Sequence, residues 1–554
     1  MFLTLPLLIA LVTPADGHHH LPHPKAELLD EVLGAGIAPD APGCSFGIIQ
    51  EGAWIYKNNF GLANLDYGIP LSSSSVFRIA SLSKQFTAFS VLTAQQEGYL
   101  SLDDPVRKYL PEIPPRQPVV TIRHLLEHTG GYRNYLDLIY LAGRHHEDYS
   151  NERETLQLLI QQKEHNFPAG SWQMISDTGY FLLSLIIEKA TGQSLAEYAA
   201  EKIFVPLGMQ SSFYLNDPSD IVRWRAVGYA PRQGDDFRIS ETRNEVTGDG
   251  GIYTSVDDLF HWALNIAKPR IGTPEIYDVM MRPSIDAGGF THPHGYGWYL
   301  RRYQGILQVG HSGGYAGFRS AMMTYPEEGL TVIGLCNRSD VRPEPRAWKV
   351  VKILLEDRLE PLPTGPDPSV FAGEWWDDRQ QSLTVIEVDD NELRMSFPPL
   401  PRVFNYSVFD ETSFGRDKSP FSRIRSFEQN GEQKLLRRWS SEHPVVLRRI
   451  ERTAAAPAKS YAGSFHCDEI PLRVDLAAHR GELFWENSPP RKTSIRLYPM
   501  TMDKFRTEHY WSVVFERSSE TEDITGLRLS TLTTTSGVYC QRIDSDHTNN
   551  QTKH

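Results

Sequence analysis

The sequence predicts an α/β domain followed by two small all-β units, and three observations carry that reading. Helical and strand-like periods alternate from about residue 28 to 358. Beyond that point helices nearly vanish. The tail then repeats itself, FAGEW at 371–375 matching YAGSF at 461–465, each ahead of alternating runs such as LTVIEV and LRVDLA. At 554 residues the chain is too long for one ordinary domain. A Pro-rich join at 360–368 (EPLPTGPDP) marks the first boundary and TAAAPAK at 453–459 the second. The expected units are 28–360, 368–452 and 459–545, the last two barrel-like.

Ahead of them, MFLTLPLLIALVTPADG has an apolar core from Phe2 to Val12 followed by small residues. It is too short to span a bilayer and suits a secretory signal over residues 1–17, which predicts a secreted or periplasmic protein. No later segment reads as a membrane span. His18, His19, His20 and His23 read as a tail and not as a metal site. The net charge of −13 argues against a nucleic-acid surface. Four cysteines do not make a disulfide scaffold. Cys44 and Cys336, in CSFGII and TVIGLC, read as buried free thiols. Cys467 and Cys540 lie near opposite ends of the last unit, and their pairing is left open. NRS at 337–339 and NYS at 405–407 are glycosylation sequons if the host glycosylates. No metal-ligand or phosphate-loop spacing stands out, so neither metal nor cofactor is expected.

The chemistry starts at RIASLSKQF, residues 78–86. Leu82, Phe86, Phe89 and Leu92 keep a helical period that Gly98 stops, which puts Ser81 at the first turn. There the free N–H groups and positive dipole end favour an alkoxide. Lys84, three places on, shares its face and reaches the hydroxyl. Taken alone, Ser-x-x-Lys is a weak motif and reads more readily as a helix cap beside a solvated lysine. Two further turns read as packing: His128 before Gly130-Gly131, and Gly250-Gly251 ahead of IYT and a helix opened by Ser255.

The motif is not alone. VFRIASLSKQFTA, LSLDDPVRKYLPE at 100–112, TIRHLLEHTGGY at 121–132, FPAGSWQMISDTGYFLLSLIIEKATG at 167–192, GDGGIYTSVDDLFHW at 248–262 and VGHSGGYAGFRS at 309–320 follow one another in order. Together they resemble the serine β-lactamase and penicillin-binding-protein superfamily, in its class C, D-aminopeptidase and esterase branch. The double β tail is similar to that of the D-aminopeptidases. The resemblance implies an antiparallel sheet flanked by helices, with a helical subdomain. It implies Ser81 as the acylated serine and Lys84 as its partner. His311 and Gly313 match the His-x-Gly of the strand that edges the site. The N–H groups of Ser81 and Gly314 match the oxyanion-hole donors, two dipoles aimed at developing charge.

One block departs from the family. Where Tyr-x-Asn is expected, this chain has Ile175-Ser176-Asp177. Isoleucine carries no proton, and an aspartate beside Lys84 favours its ammonium form, the wrong direction for a lysine base. Three readings stay open. His311 takes the serine proton, with Asp177 orienting it or Lys84; a nearby tyrosine (Tyr132, Tyr180 or Tyr315) serves as relay; or the protein is a weakened or inactive homologue that binds cell-wall-like peptides. The expected activity is that of a serine hydrolase acting through a Ser81 acyl-enzyme. Its expected partners are peptides or amides with a D-residue, then small esters, and β-lactams last.

Overall fold

The computed structural model describes residues 24–232, 236–285, 292–361, 365–378, 381–389, 392–400, 403–410, 412–416, 419–438, 445–451, 453–490, 493–507, 511–531 and 535–543. The signal-like segment 1–17 and the histidines at 18–20 and 23 lie outside the described residues. Among the described residues no helix is long and apolar enough to cross a membrane.

The amino-terminal domain is built on six antiparallel strands: β1 (Cys44–Gln50), β2 (Ala53–Phe60), β3 (Tyr299–Tyr303), β4 (Ile306–Tyr315), β5 (Phe318–Tyr325) and β6 (Leu330–Cys336). Their spatial order is β3-β4-β5-β6-β1-β2, so the first hairpin closes onto the last strand. Alternation along the strands sends side chains to two cores. Ile48, Met323 and Val332 pack with α1 (Ala26–Gly34) and with a helix over Pro343–Leu354. Ile49, Met322 and Ile333 face the larger core, which holds α2 (Lys84–Gln96), α3 (Tyr135–Leu141), α4 (Asp177–Thr191) and a helix over Val256–Ala267. The helix expected after Ser81 is α2, and it runs through the middle of this core with Lys84 to Leu92 all buried. Gly98, at φ 81°, follows its end.

The expectation of free thiols at Cys44 and Cys336 is corrected. The two residues lie directly opposite on β1 and β6 and form a disulfide that links positions 292 apart in the chain. Only the sheet order brings them together. Cys467 and Cys540 are also bonded, between the first and last strands of the final unit. Asn337 is fully buried; its amide accepts from Gly43 N–H and donates to Leu62 and Val227 carbonyls, which leaves the first sequon no room for a glycan. Asn405 of the second is exposed.

The tail forms two closed eight-stranded barrels, with strands from Gly373 to Arg449 and from Gly463 to Ile543. The repeat seen in sequence is structural. A 3₁₀ turn precedes each first strand, Phe371 and Tyr461 are fully buried, and Trp375 and Phe465 fill matching core positions. Gly373 (φ 130°) and Gly463 (φ 152°) share a backbone conformation that a side chain rarely adopts, hence glycine in both. Both barrels dock on the first domain. Phe167 and Trp172 join the apolar core of the first barrel. Glu469 of the second pairs with Arg133, both side chains almost wholly buried.

Candidate active site

Ser81 lies in a 3₁₀ turn, Ala80–Ser83, between a two-residue strand (Phe77–Arg78) and α2. Three contacts fix the turn. Ile79 N–H donates to the carbonyl of Ile252 at 3.0 Å, and the hydroxyl of Ser320 on β5 donates to the Ile79 carbonyl at 2.6 Å. Gly313 on β4 approaches so closely that an added Cβ would stand 2.1 Å from that carbonyl oxygen. Ala80 is held at φ 47°, a left-handed conformation costly for alanine, so Ser81 sits next to local backbone strain.

Lys84 is one helical turn on, with no exposed side-chain surface. Its Nζ meets three acceptors: Ser81 Oγ at 2.9 Å, Asp177 Oδ1 at 2.7 Å and the backbone carbonyl of Asp249 at 3.0 Å. Asp177 opens α4, where an acid suits the positive helix end. Its other oxygen accepts from Asn134 Nδ2 at 3.0 Å, while Asn134 Oδ1 caps α3 through Leu136 N–H. Asp249 is buried as well. Its Oδ2 accepts from the Tyr135 hydroxyl at 3.0 Å, and its Oδ1 has no hydrogen-bond partner. Burial, and then the charge of Asp177, push the Asp249 carboxyl up to about 7 against the pull of Lys84, Tyr135 and Arg78.

Ser81, Lys84 and Asp177 thus meet in one hydrogen-bonded chain, and His311 stands outside it. Its Nδ1 faces the Ser312 carbonyl and so carries the proton, which leaves Nε2 bare and without a partner. Its ring stacks on Tyr299 at 4.2 Å, with His294 at 6.0 Å. Burial, with Lys84 and His294 nearby, holds His311 well below the usual imidazole range, so at neutral pH the ring is uncharged. His128 is structural: its Nδ1 accepts from Ser176 N–H at 3.2 Å. Tyr180 donates to the Leu126 carbonyl at 3.1 Å, with Lys84 Nζ 5.8 Å from its ring, and is committed to packing. Ile175 is half-buried in the irregular segment two residues ahead of Asp177.

A cavity of about 50 Å³ opens beside the serine, lined by Ser81, Asp177 and Gly314 together with Arg78, Asn244, Asp249 and Tyr315. Gly314 and Ser81 both border it; His311 does not. Arg78 is buried, its Nε has no hydrogen-bond partner, and its guanidinium lies 5.6 Å from the ring of Tyr315. Asp249, Asn134, Tyr135 and Arg78 are the residues that sequence reasoning passed over. The one signal in the sequence is an acid inside the glycine-rich turn GDGG, whose glycines alone read as packing. Elsewhere among the described residues, His145, His146 and Glu147 cluster closely enough for a metal ion, but Glu147 is already paired with Arg238.

This arrangement defines a class: a serine hydrolase, with Ser81 in the 3₁₀ turn that leads into a buried helix and Lys84 as the first residue of that helix. The β-lactamase family model matches residues 29–356, more than half of the chain, and the chain belongs to that family. It is 26% identical over 489 residues to a D-aminopeptidase of Cereibacter sphaeroides, covering 86% of this chain and 89% of that protein. It is 30% identical over 306 residues to penicillin-binding protein 4* of Bacillus subtilis, covering 52% of this chain and 67% of that protein. The octameric penicillin-binding protein homologue from Pyrococcus abyssi shares the fold at a TM-score of 0.54 and 24% identity, over 76% of this chain and 98% of that one.

Proposed function

We propose that the protein hydrolyses amides through a Ser81 acyl-enzyme, with peptides or amides bearing a D-residue as first substrates and small esters next. The observation that carries this reading is the 2.9 Å contact between Lys84 Nζ and Ser81 Oγ at the wall of a cavity bordered by Gly314. A serine so placed attacks a carbonyl carbon, and the N–H groups of Ser81 and Gly314 are suited to the resulting oxyanion. The D-aminopeptidase relatives, which align over barrels as well as the hydrolase domain, support the substrate class. The two disulfides and the signal-like leader support a secreted or periplasmic setting.

A second reading, a weakened homologue that binds cell-wall-like peptides, draws on one feature: Ile175 and Asp177 stand where the family's relay residues are expected. Labelling separates the two. A fluorophosphonate should modify wild-type protein at Ser81 and leave Ser81→Ala untouched, and the same variant should lose all hydrolysis of D- and L-alanine p-nitroanilides. Wild-type protein that binds such peptides but neither labels nor turns over would establish the binder.

A further inference from the structure

We propose that Asp249 accepts the Ser81 proton through a water in the shared cavity; this rests on the Ser81 hydrolase reading and supplies the base that the Ile-Ser-Asp segment removes. Two carboxyls border the cavity, and their oxygens differ. Both oxygens of Asp177 are engaged, one by Lys84 and one by Asn134. Asp249 has one oxygen held by Tyr135, while Oδ1 is buried and bare. A buried carboxyl oxygen that has lost its hydration without gaining a partner costs about 1–3 kcal/mol. Such an arrangement points to a group that arrives there.

The geometry ties this carboxyl to the nucleophile. Lys84 Nζ touches both Ser81 Oγ and the backbone of Asp249, so the two residues share one neighbour. A cavity needs about 10–15 Å³ to admit a water. The 50 Å³ here is enough for a one-water bridge. Proton transfer through one water is within the reach of general-base catalysis.

The step balances. A lone pair of Ser81 Oγ forms the C–O bond to the substrate carbonyl as the Oγ proton passes through the water to Asp249 Oδ1. The carbonyl π pair moves onto its oxygen. Collapse re-forms C=O and breaks the C–N bond, and the departing nitrogen takes the proton back through the same water. Acyl-Ser81, free amine and the Asp249 carboxylate remain. A second water then repeats the sequence on the ester and restores Ser81.

The groups facing Asp249 set where it ionises. Asp177 at the start of α4 opposes ionisation, while Lys84 of α2, Arg78 and the hydroxyl of Tyr135 on α3 favour it. Tyr214 and Tyr315 also face it and stay protonated at neutral pH, both pushed above the usual phenol range by burial. The balance near 7 makes Asp249 a carboxylate on the alkaline side of neutrality, as a base requires.

The test is the pH profile of kcat/KM on D-alanine p-nitroanilide, with full-length protein. Wild type should show an acid limb with its midpoint near 7. Asp249→Asn should lose the limb and fall at least about 100-fold at pH 8. Tyr135→Phe, which removes the hydroxyl that steadies the carboxylate, should move the midpoint upward, a change that a purely structural role would not give. If Asp249→Asn fails to fold, the Tyr135→Phe midpoint decides alone, and an unmoved midpoint overturns the assignment. A limb that survives in Asp249→Asn and disappears in His311→Ala overturns it too and makes His311 the base. Ser81→Ala keeps the two claims apart. Residual hydrolysis in that variant sinks the hydrolase reading itself. An inactive Ser81→Ala beside an Asp249→Asn that keeps the wild-type profile sinks the Asp249 assignment alone.

Discussion

Asn134 decides what residue 177 can be. Its Oδ1 caps α3 through Leu136 N–H, so its Nδ2 is fixed toward Asp177 Oδ2 and cannot turn over without losing the cap. Asp177→Asn would keep an oxygen for Lys84 and press an NH₂ group against that of Asn134. It should cost about 1–2 kcal/mol in chemical unfolding. Swapping the pair, Asn134→Asp with Asp177→Asn, restores a donor–acceptor contact while an aspartate oxygen still caps α3. The double variant should recover most of the lost stability, a coupling read directly from a double-mutant cycle; a double variant less stable than either single one would show that Asp177 is held by something else. Asp249 gives a second test, independent of turnover. Its carboxyl moves from 3.8 when unfolded to about 7 when folded, so between those values the native chain holds the extra proton. Stability must then fall as pH rises through that window. Asp249→Asn should abolish that slope and unfold at a higher temperature than wild type at pH 8, with the difference shrinking toward pH 5.

At the scale of elements, the site depends on how closely β4 passes the Ser81 turn. A Cβ on Gly313 would meet Ile79 O at 2.1 Å, Ser320 Oγ at 2.5 Å and Leu82 N at 3.0 Å. Strand and turn would have to part. Gly313→Ala should therefore cost about 1–3 kcal/mol by overpacking, and it should slow fluorophosphonate labelling of Ser81 far more than a surface change of equal cost. Labelling at the wild-type rate would mean that the turn keeps its shape without the strand. What could be read from sequence follows the range of the interaction. The period of Leu82, Phe86, Phe89 and Leu92 announces α2 because a helix is written in neighbours three and four apart. The FAGEW and YAGSF segments announce two like barrels for the same local reason. The Cys44–Cys336 bond was illegible because β1 reaches β6 through the sheet order, across nearly the whole domain. Asp249 and Asn134 escaped because their roles arise where α2, α3, α4 and the GDGG turn converge, and nothing within either local stretch records that convergence.

For the whole molecule, the question is what the second barrel does for a site it does not line. Arg133 sits immediately before Asn134 and Tyr135, whose side chains hold Asp177 and Asp249. Its guanidinium is fully buried and is gripped by the second barrel: Nη1 pairs with Glu469, Nε donates to the Ser536 carbonyl at 3.0 Å, and Nη2 donates to the Gly537 carbonyl at 3.1 Å. The first domain adds Gln162 Oε1 at 2.8 Å. Among the described residues Glu469 is the one carboxylate in direct contact with this cation, since Glu164 stands off at 3.7 Å and is half-exposed. Neutralising it leaves a buried charge poorly matched, and breaking one partner of such a pair costs about 3–5 kcal/mol. Because three neutral acceptors stay in place, Glu469→Gln should fall toward the lower end, near 3 kcal/mol. Thermal unfolding should then begin at a lower temperature, with the second barrel releasing first. The same release frees the 133–135 segment, so Ser81 should label more slowly even below the transition, while a change at an exposed pair such as Lys163–Asp468 should leave labelling as it was. A Glu469→Gln protein with lowered stability and an unaltered labelling rate would confine the barrel to holding the molecule together. A reduced rate at temperatures where the protein is still folded would mean that the barrel helps to set the two carboxyls of the site.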